Sequence, residues 1–92
     1  MKKLYEFNWD CGRMGALGGL FIAEESIVEN LMGKKIYFGE VLGKHSEIYG
    51  HLEEKDLTVK SEDQDFIQKF IEIMGDGTIS GYNPIDYYDE SE

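Results

Sequence analysis

The chain contains little of the chemistry that binds metals, with one cysteine and two histidines among 92 residues. Cys11 alone excludes an intrachain disulfide and a zinc site built from several cysteines. If His45 and His51 share a strand, they lie about 20 Å apart at roughly 3.3 Å per residue, too far to chelate one ion. We therefore expect no metal and no cofactor.

Basic residues are also scarce. Nine lysines and arginines face 19 aspartates and glutamates, which leaves a net charge of -10. This charge disfavours direct, nonspecific nucleic-acid binding, because the phosphates would be repelled. It favours a basic partner, or simply solubility. Carboxylates are dense over residues 53–65. On a small domain they could imitate the charge of a nucleic-acid backbone and so occupy a DNA-handling protein.

The chain has no run of 18 apolar residues, so no membrane span is expected. Acidic residues follow Lys2 and Lys3 before any apolar stretch, which does not fit a signal peptide and predicts a cytoplasmic protein. The length suits one domain. We place it at residues 1–86 and expect residues 87–92 to form an acidic, frayed tail.

Apolar residues predict the first two strands. Tyr5, Phe7 and Trp9 alternate over residues 3–9, and residues 16–23 follow as a second strand with a glycine pair inside it. Such a pair marks a bulge or a close contact with another backbone. Further short strands are predicted at residues 35–42, 45–52 and 57–60, whereas residues 78–86 are expected to be irregular.

Two helices are predicted. The shorter spans residues 24–32. The longer spans about 62–74, opened by a capping box from Ser61 to Gln64 and ended by Gly75. Its apolar stripe is Phe66, Ile67, Phe70, Ile71 and Met74. These elements predict a single α+β domain: a small, mostly antiparallel sheet of about five strands with two helices packed on one of its faces.

Eight of the eleven glycines lie between residues 12 and 50, and two glycine-opened loops carry polar donors. Backbone N–H groups freed by glycine can cradle a phosphate, and an arginine adds a bidentate fork. If the two loops meet, they form a site for an anionic nucleotide. If they do not, they are hairpin turns that face solvent. The predicted ligand-binding residues are Arg13, Lys44, His45, Ser46, Glu47 and Tyr49.

Nucleophilic catalysis is not indicated. Cys11 lies near Arg13, which could depress the pKa of its thiol, but nothing in the sequence places a general base beside it. Ser46 follows His45 directly, and adjacent strand residues point to opposite faces. Because no base, nucleophile or metal is assembled by spacing, we predict that the protein is not an enzyme.

Three strings resemble those of small, uncharacterised bacteriophage proteins: Tyr5-Glu-Phe7, Asp10-Cys-Gly-Arg-Met-Gly15 and Phe38-Gly-Glu-Val-Leu-Gly-Lys-His-Ser-Glu-Ile-Tyr-Gly50. The resemblance implies an inhibitor of host defence, acting in the host cytoplasm. It would sequester a nucleotide signal or block a nuclease or another defence protein. We therefore expect a non-catalytic binding protein that holds an anionic nucleotide. The alternative is an acidic, nucleic-acid-mimicking inhibitor of a DNA-handling host protein.

A homodimer is also predicted. Short, glycine-rich strands give one copy little core, and pairing two copies would bury more surface. Tyrosine is enriched at interfaces. The charge of -10 opposes self-association. The candidate interface residues are Tyr5, Tyr49, Tyr82, Tyr87 and Tyr88.

Overall fold

A computed structural model describes residues 1–43 and 47–88, and it confirms the predicted α+β fold. In chain order the elements are β1 (Lys2–Asp10), β2 (Ala16–Glu24), α1 (Glu25–Leu31), β3 (Lys35–Gly39), β4 (Ile48–His51), β5 (Leu57–Ser61), α2 (Gln64–Met74) and β6 (Thr78–Gly81). Short 3-10 helices lie at Gly12–Met14, Glu54–Asp56 and Pro84–Tyr87.

The strands form two antiparallel sheets. The larger has the order β5-β1-β2-β6, and the smaller pairs β3 with β4. The β1–β2 hairpin is the longest pairing and runs from Lys2↔Glu24 to Asp10↔Ala16. Its strands match the two that were predicted at residues 3–9 and 16–23. The pairing of β5 is much shorter and ends at Phe7↔Leu57.

The two helices cover opposite faces of the larger sheet, so the prediction that both lie on one face is wrong. Successive strand residues point to opposite faces. On one face, Phe7 and Phe21 pack with Val28 of α1 and with the β3–β4 sheet. On the other, Leu4 and Ile22 pack with Ile67 of α2. Because both faces of β1 and β2 carry apolar residues, another element must pack against each face.

Helix α2 begins two residues later than the capping box predicts. Asp63 is its N-cap and accepts hydrogen bonds from the N–H groups of Asp65 and Phe66. Ser61 ends β5, and its hydroxyl accepts from the Asp63 N–H at 3.2 Å. The predicted stop at Gly75 is confirmed, with φ at 94°. Only part of the predicted stripe is covered, because Phe66 and Met74 are exposed.

Two other predictions of secondary structure need correction. Residues 78–86, expected to be irregular, contain β6 and the start of a 3-10 helix. This four-residue strand is too short to show a clear alternation. β3 was expected to reach residue 42 but ends at Gly39, where φ of 78° turns the chain. The predicted strand 45–52 is observed as Ile48–His51, and residues 44–46 lie outside the described part.

The structure also bears on the residues predicted for a dimer interface. Tyr5 is only 5 % exposed and stacks on Phe21, so it is a core residue and not interface material. Tyr82 and Tyr87 are half-buried against Phe38. Tyr49 and Tyr88 are exposed, and Tyr88 forms an isolated bridge with Ile36. The homodimer and the frayed tail stay predictions.

Lys3 joins three elements through two ion pairs. Its ammonium lies 2.8 Å from Glu25 at the start of α1 and 2.7 Å from Glu62 between β5 and α2. The hydrogen bond from Lys3, and then its charge, lower the pKa of Glu25. Hydrogen bonds with Glu25 and then with Glu62 raise the pKa of Lys3.

We expect Lys3→Met to return the pKa of Glu25 toward its usual range, as measured by NMR titration of the side-chain carboxyl. A carboxyl whose pKa is lowered on folding stabilises the fold above its unfolded-state pKa, and this contribution is lost as the pH falls through the folded-state pKa. The variant should therefore lose less stability than the wild type on acidification. Asp76 is the internal control, because its pKa is lowered by Lys2. An unchanged Glu25 titration would contradict this role of Lys3.

Candidate functional site

A cleft opens where β1 extends past Leu57, the first residue of β5. The last β1–β5 pair is Phe7↔Leu57, so residues 8–10 of β1 continue without β5 beside them. The 3-10 helix Glu54–Asp56 and strand β4 form other walls of the cleft. Its volume is about 600 Å³. That lies within the range of about 300–1,000 Å³ typical of ligand sites.

Carboxylates dominate the charged residues of this cleft. The acidic residues that line it are Glu6, Asp10, Glu47, Glu53 and Asp56. In the described part of the chain, the basic residues on the lining are Lys55 and His51. The Lys55 ammonium lies 3.2 Å from the Glu53 carboxylate. Because low-dielectric walls focus the field of clustered charges, the cleft attracts cations and repels anions.

Asp56 is the most buried of these acids and has a structural role. Its side chain is 9 % exposed, and its carboxylate accepts a hydrogen bond from the Glu53 N–H at 2.9 Å. The Asp56 N–H donates in turn to the Glu53 carbonyl at 3.0 Å. Asp56 therefore fixes the 3-10 helix that directly precedes β5, and it is a poor choice for a test of binding.

Aromatic rings form the wall opposite the carboxylates of β1. Trp9 packs beside Gly50 of β4, where an added Cβ would meet the indole Cη2 at 3.4 Å. Tyr49 is 61 % exposed, and its ring stacks on that of Tyr37 with centroids 6.5 Å apart. Desolvation, followed by the charge and hydrogen bond of the neighbouring Glu47 carboxylate, raises the pKa of Tyr37. The ammonium of Lys35 already lies over the Tyr49 ring, 5.4 Å from its centroid, because the ring face attracts cations.

The structure brings together only some of the residues predicted for ligand binding. Glu47 and Tyr49 both line the cleft. Arg13 is exposed in the 3-10 helix Gly12–Met14 and is not among the described residues of the lining. Lys44, His45 and Ser46 lie outside the described residues, so the meeting of the two glycine loops stays a prediction.

Cys11 also lines the cleft, but its environment is the opposite of what the sequence suggested. Burial, and then the charge of Asp10, raise the pKa of the thiol. The prediction that Arg13 could depress this pKa is therefore wrong. A thiol with a raised pKa holds less of the reactive thiolate at neutral pH.

Sequence reasoning missed the β1 side of the cleft. Glu6, Asn8 and Asp10 occupy alternate positions of β1, so they share a face of the sheet. That period was visible in the sequence as the polar counterpart of Tyr5, Phe7 and Trp9. What the sequence did not show is that β5 begins only at Leu57 and leaves the end of β1 open.

Within residues 1–43 and 47–88, no three or more His, Cys, Asp or Glu side chains are grouped to hold a metal ion. The helices of this same part are all too short and polar to cross a bilayer. Comparisons of the chain with models of protein families, with curated proteins and with solved structures give no significant match.

Proposed function

We propose that this chain is a non-catalytic binding protein whose acidic cleft holds a basic partner protein. The observation that carries the proposal is the lining of the cleft, where five carboxylates lie beside the exposed ring of Tyr49. Carboxylates pair with lysine and arginine through charge-assisted hydrogen bonds. The partner is of the kind that handles nucleic acid, because such proteins present basic surfaces.

The proposal includes inhibition of a host protein, which is the role that the resemblance to phage proteins implies. An inhibitor with a charge of -10 would approach a basic surface rapidly at low salt. It would also compete with nucleic acid for that surface, because both present negative charge. No catalytic step is needed for this action. The raised pKa of Cys11 supports a role without a nucleophile.

The nucleotide hypothesis has less support from the cleft. A phosphate entering it would meet the carboxylates of Glu6, Asp10 and Glu53 on the lining. Like charges brought together in a cleft of low dielectric repel strongly. A nucleotide site would therefore lie elsewhere, near Arg13 and residues 44–46. Binding of a nucleotide is one of the outcomes that the following experiment distinguishes.

The test compares two double variants with the same change of charge. Glu47→Lys with Glu53→Lys reverses two cleft carboxylates, whereas Glu29→Lys with Glu72→Lys reverses two exposed carboxylates that do not line the cleft. The probes are a short lysine- and arginine-rich peptide and a panel of cyclic and ADP-ribose-type nucleotides, studied by calorimetry at low salt and at about 0.15 M salt.

We expect the wild type to bind the peptide, more weakly at the higher salt. The cleft variant should lose about tenfold in affinity, or ~1.4 kcal/mol, and the control variant much less. Equal losses in the two variants would mean that net charge alone attracts the peptide, and would overturn the cleft as the site. A nucleotide that binds while the peptide does not would overturn the proposal in favour of nucleotide sequestration.

A further inference from the structure

We propose that the open end of β1 accepts an extended segment of the basic partner as an added antiparallel strand. This inference rests on the proposed function and names how the partner is held. It depends on the backbone of Asn8 and Asp10, whereas the proposed function depends on side-chain charge. The two can therefore fail separately.

The direction of the β1 backbone follows from the hydrogen bonds of β2. The Gly18 carbonyl accepts from the Tyr82 N–H at 3.0 Å, so the backbone of Gly18 points to β6 and away from β1. Asn8 lies directly opposite Gly18. In an antiparallel ladder, a residue that does not bond its partner turns its N–H and C=O to the other edge. The backbone of Asn8, and by the same period that of Asp10, therefore points into the cleft.

No strand of the described part lies beside these residues on that edge. β5 pairs with β1 only as far as Phe7↔Leu57. The next position would bring Asp56 opposite Asn8, but the Asp56 N–H donates to the Glu53 carbonyl at 3.0 Å. The 3-10 helix thus turns the chain away from β1. Asn8 is exposed, which leaves the edge accessible to another chain.

Open strand edges are sites of pairing with other chains, and proteins commonly block them with charged side chains, lysine above all, or with proline or a bulge. Residues 8–10 contain no lysine and no proline and pair with β2 in continuous register, and their one charged side chain is that of Asp10. Glu6 and Asp10 give the edge negative charge, so a second copy of this acidic chain is a poor occupant. A basic segment is the complementary one, because opposite charges on neighbouring strands stabilise their pairing.

The alternation of β1 also predicts the pattern of the bound segment. In a hydrogen-bonded antiparallel pair, directly opposite residues share a face. Residues of the segment opposite Asn8 and Asp10 would lie on the carboxylate face, where lysine or arginine fits. The intervening residues would lie on the face of Trp9, beside the exposed Tyr49 ring. The segment is therefore expected to alternate basic residues with small or apolar ones.

The experiment uses the whole protein and a short, capped peptide that alternates lysine and threonine. Two further peptides carry backbone N-methyl groups, on the lysines in one and on the threonines in the other. All three have the same charge. In the antiparallel pairing proposed, the lysine N–H groups face β1, so methylating them removes those hydrogen bonds. The threonine N–H groups face away from β1.

We expect the lysine-methylated peptide to bind about tenfold more weakly, the loss that follows from removing one or two backbone hydrogen bonds. The threonine-methylated peptide should keep most of the affinity. Hydrogen exchange at the Asn8 and Asp10 amides should slow on binding the unmodified peptide, and the Trp9 amide, which faces β2, should not change. Equal affinities for the three peptides, or a loss confined to the threonine-methylated one, would overturn the added strand and leave the proposed function standing. Failure of all three to bind would overturn both.

Discussion

Replacing Ile67 by alanine is expected to lower the free energy of unfolding by about 2–5 kcal/mol, the usual cost of truncating a buried aliphatic side chain. Ile67 is 2 % exposed and is the residue of α2 that packs between Leu4 of β1 and Ile22 of β2. Removing its side chain leaves a cavity between the helix and the sheet. Urea unfolding followed by circular dichroism measures the loss. A domain of this size has about 5–15 kcal/mol to lose, so the variant should remain measurable.

Ile73→Ala is the matched control, because it makes the same chemical change on the same helix. Ile73 is 80 % exposed. Its truncation should change stability by no more than about 0.5 kcal/mol, as for most surface substitutions. If the two variants lost similar amounts, α2 would not pack on the sheet through Ile67. Phe70 would be a weaker test of this helix, because it is only partly buried.

Gly19→Ala is expected to cost about 3 kcal/mol, at the upper end for overpacking a well-filled site. A Cβ at Gly19 would lie 2.1 Å from the carbonyl oxygen of Tyr82. That oxygen belongs to the backbone and cannot move aside as a side chain can. Gly19 pairs with Gly81, where an added Cβ would lie 2.2 Å from the Gly18 carbonyl oxygen. The β2–β6 pairing therefore has no room for a side chain at this point.

Gly18→Ala separates this clash from the general effect of removing a glycine. A Cβ at Gly18 would lie 3.4 Å from the Phe7 carbonyl oxygen, which is close to ordinary contact. We expect it to change stability by less than about 1 kcal/mol, and it can be stabilising because alanine reduces the freedom of the unfolded chain. Thermal unfolding of both variants gives the comparison. A small loss in Gly19→Ala would show that β6 can separate from β2 at little cost.

The acidic cleft changes how the charge of the chain is understood. A charge of -10 has two explanations, an attractive surface for a basic partner or a solvated exterior. Most acids of a small domain do face solvent. Asp10, Glu47 and Glu53 of the cleft lining face solvent too, but all five acids surround a concave volume that also contains an open strand end. It is this combination that favours a partner.

Part of the site could be predicted from the sequence. Glu47 and Tyr49 lie within a glycine-framed block rich in polar residues, which predicts them as binding residues, and both line the cleft. Glu6 and Asp10 were not identified, although they lie on a strand that was correctly predicted. The alternation of β1 separates them from the apolar residues but does not say which element covers their face. Glu6 and Asp10 line a cleft only because β5 begins at Leu57 and leaves the end of β1 uncovered.

Local patterns determined most of the secondary structure. The alternation of Tyr5, Phe7 and Trp9 specified β1, and the i, i+4 spacing of apolar residues specified α2, because each period is a property of the local backbone. Gly75 ended that helix as predicted. Such signals need no knowledge of distant residues. The net charge also follows from composition alone.

Only the tertiary structure decided which element covers each face, and where strands stop pairing. Helices α1 and α2 lie on opposite faces because β1 and β2 carry apolar residues on both. β6 forms because β2 has an edge free and a glycine that lets Tyr82 approach. The cleft exists because the 3-10 helix held by Asp56 leads into β5 only at Leu57, so β5 pairs with β1 no further than Phe7. These are contacts between residues far apart in sequence, and a short-range period carries no information about them.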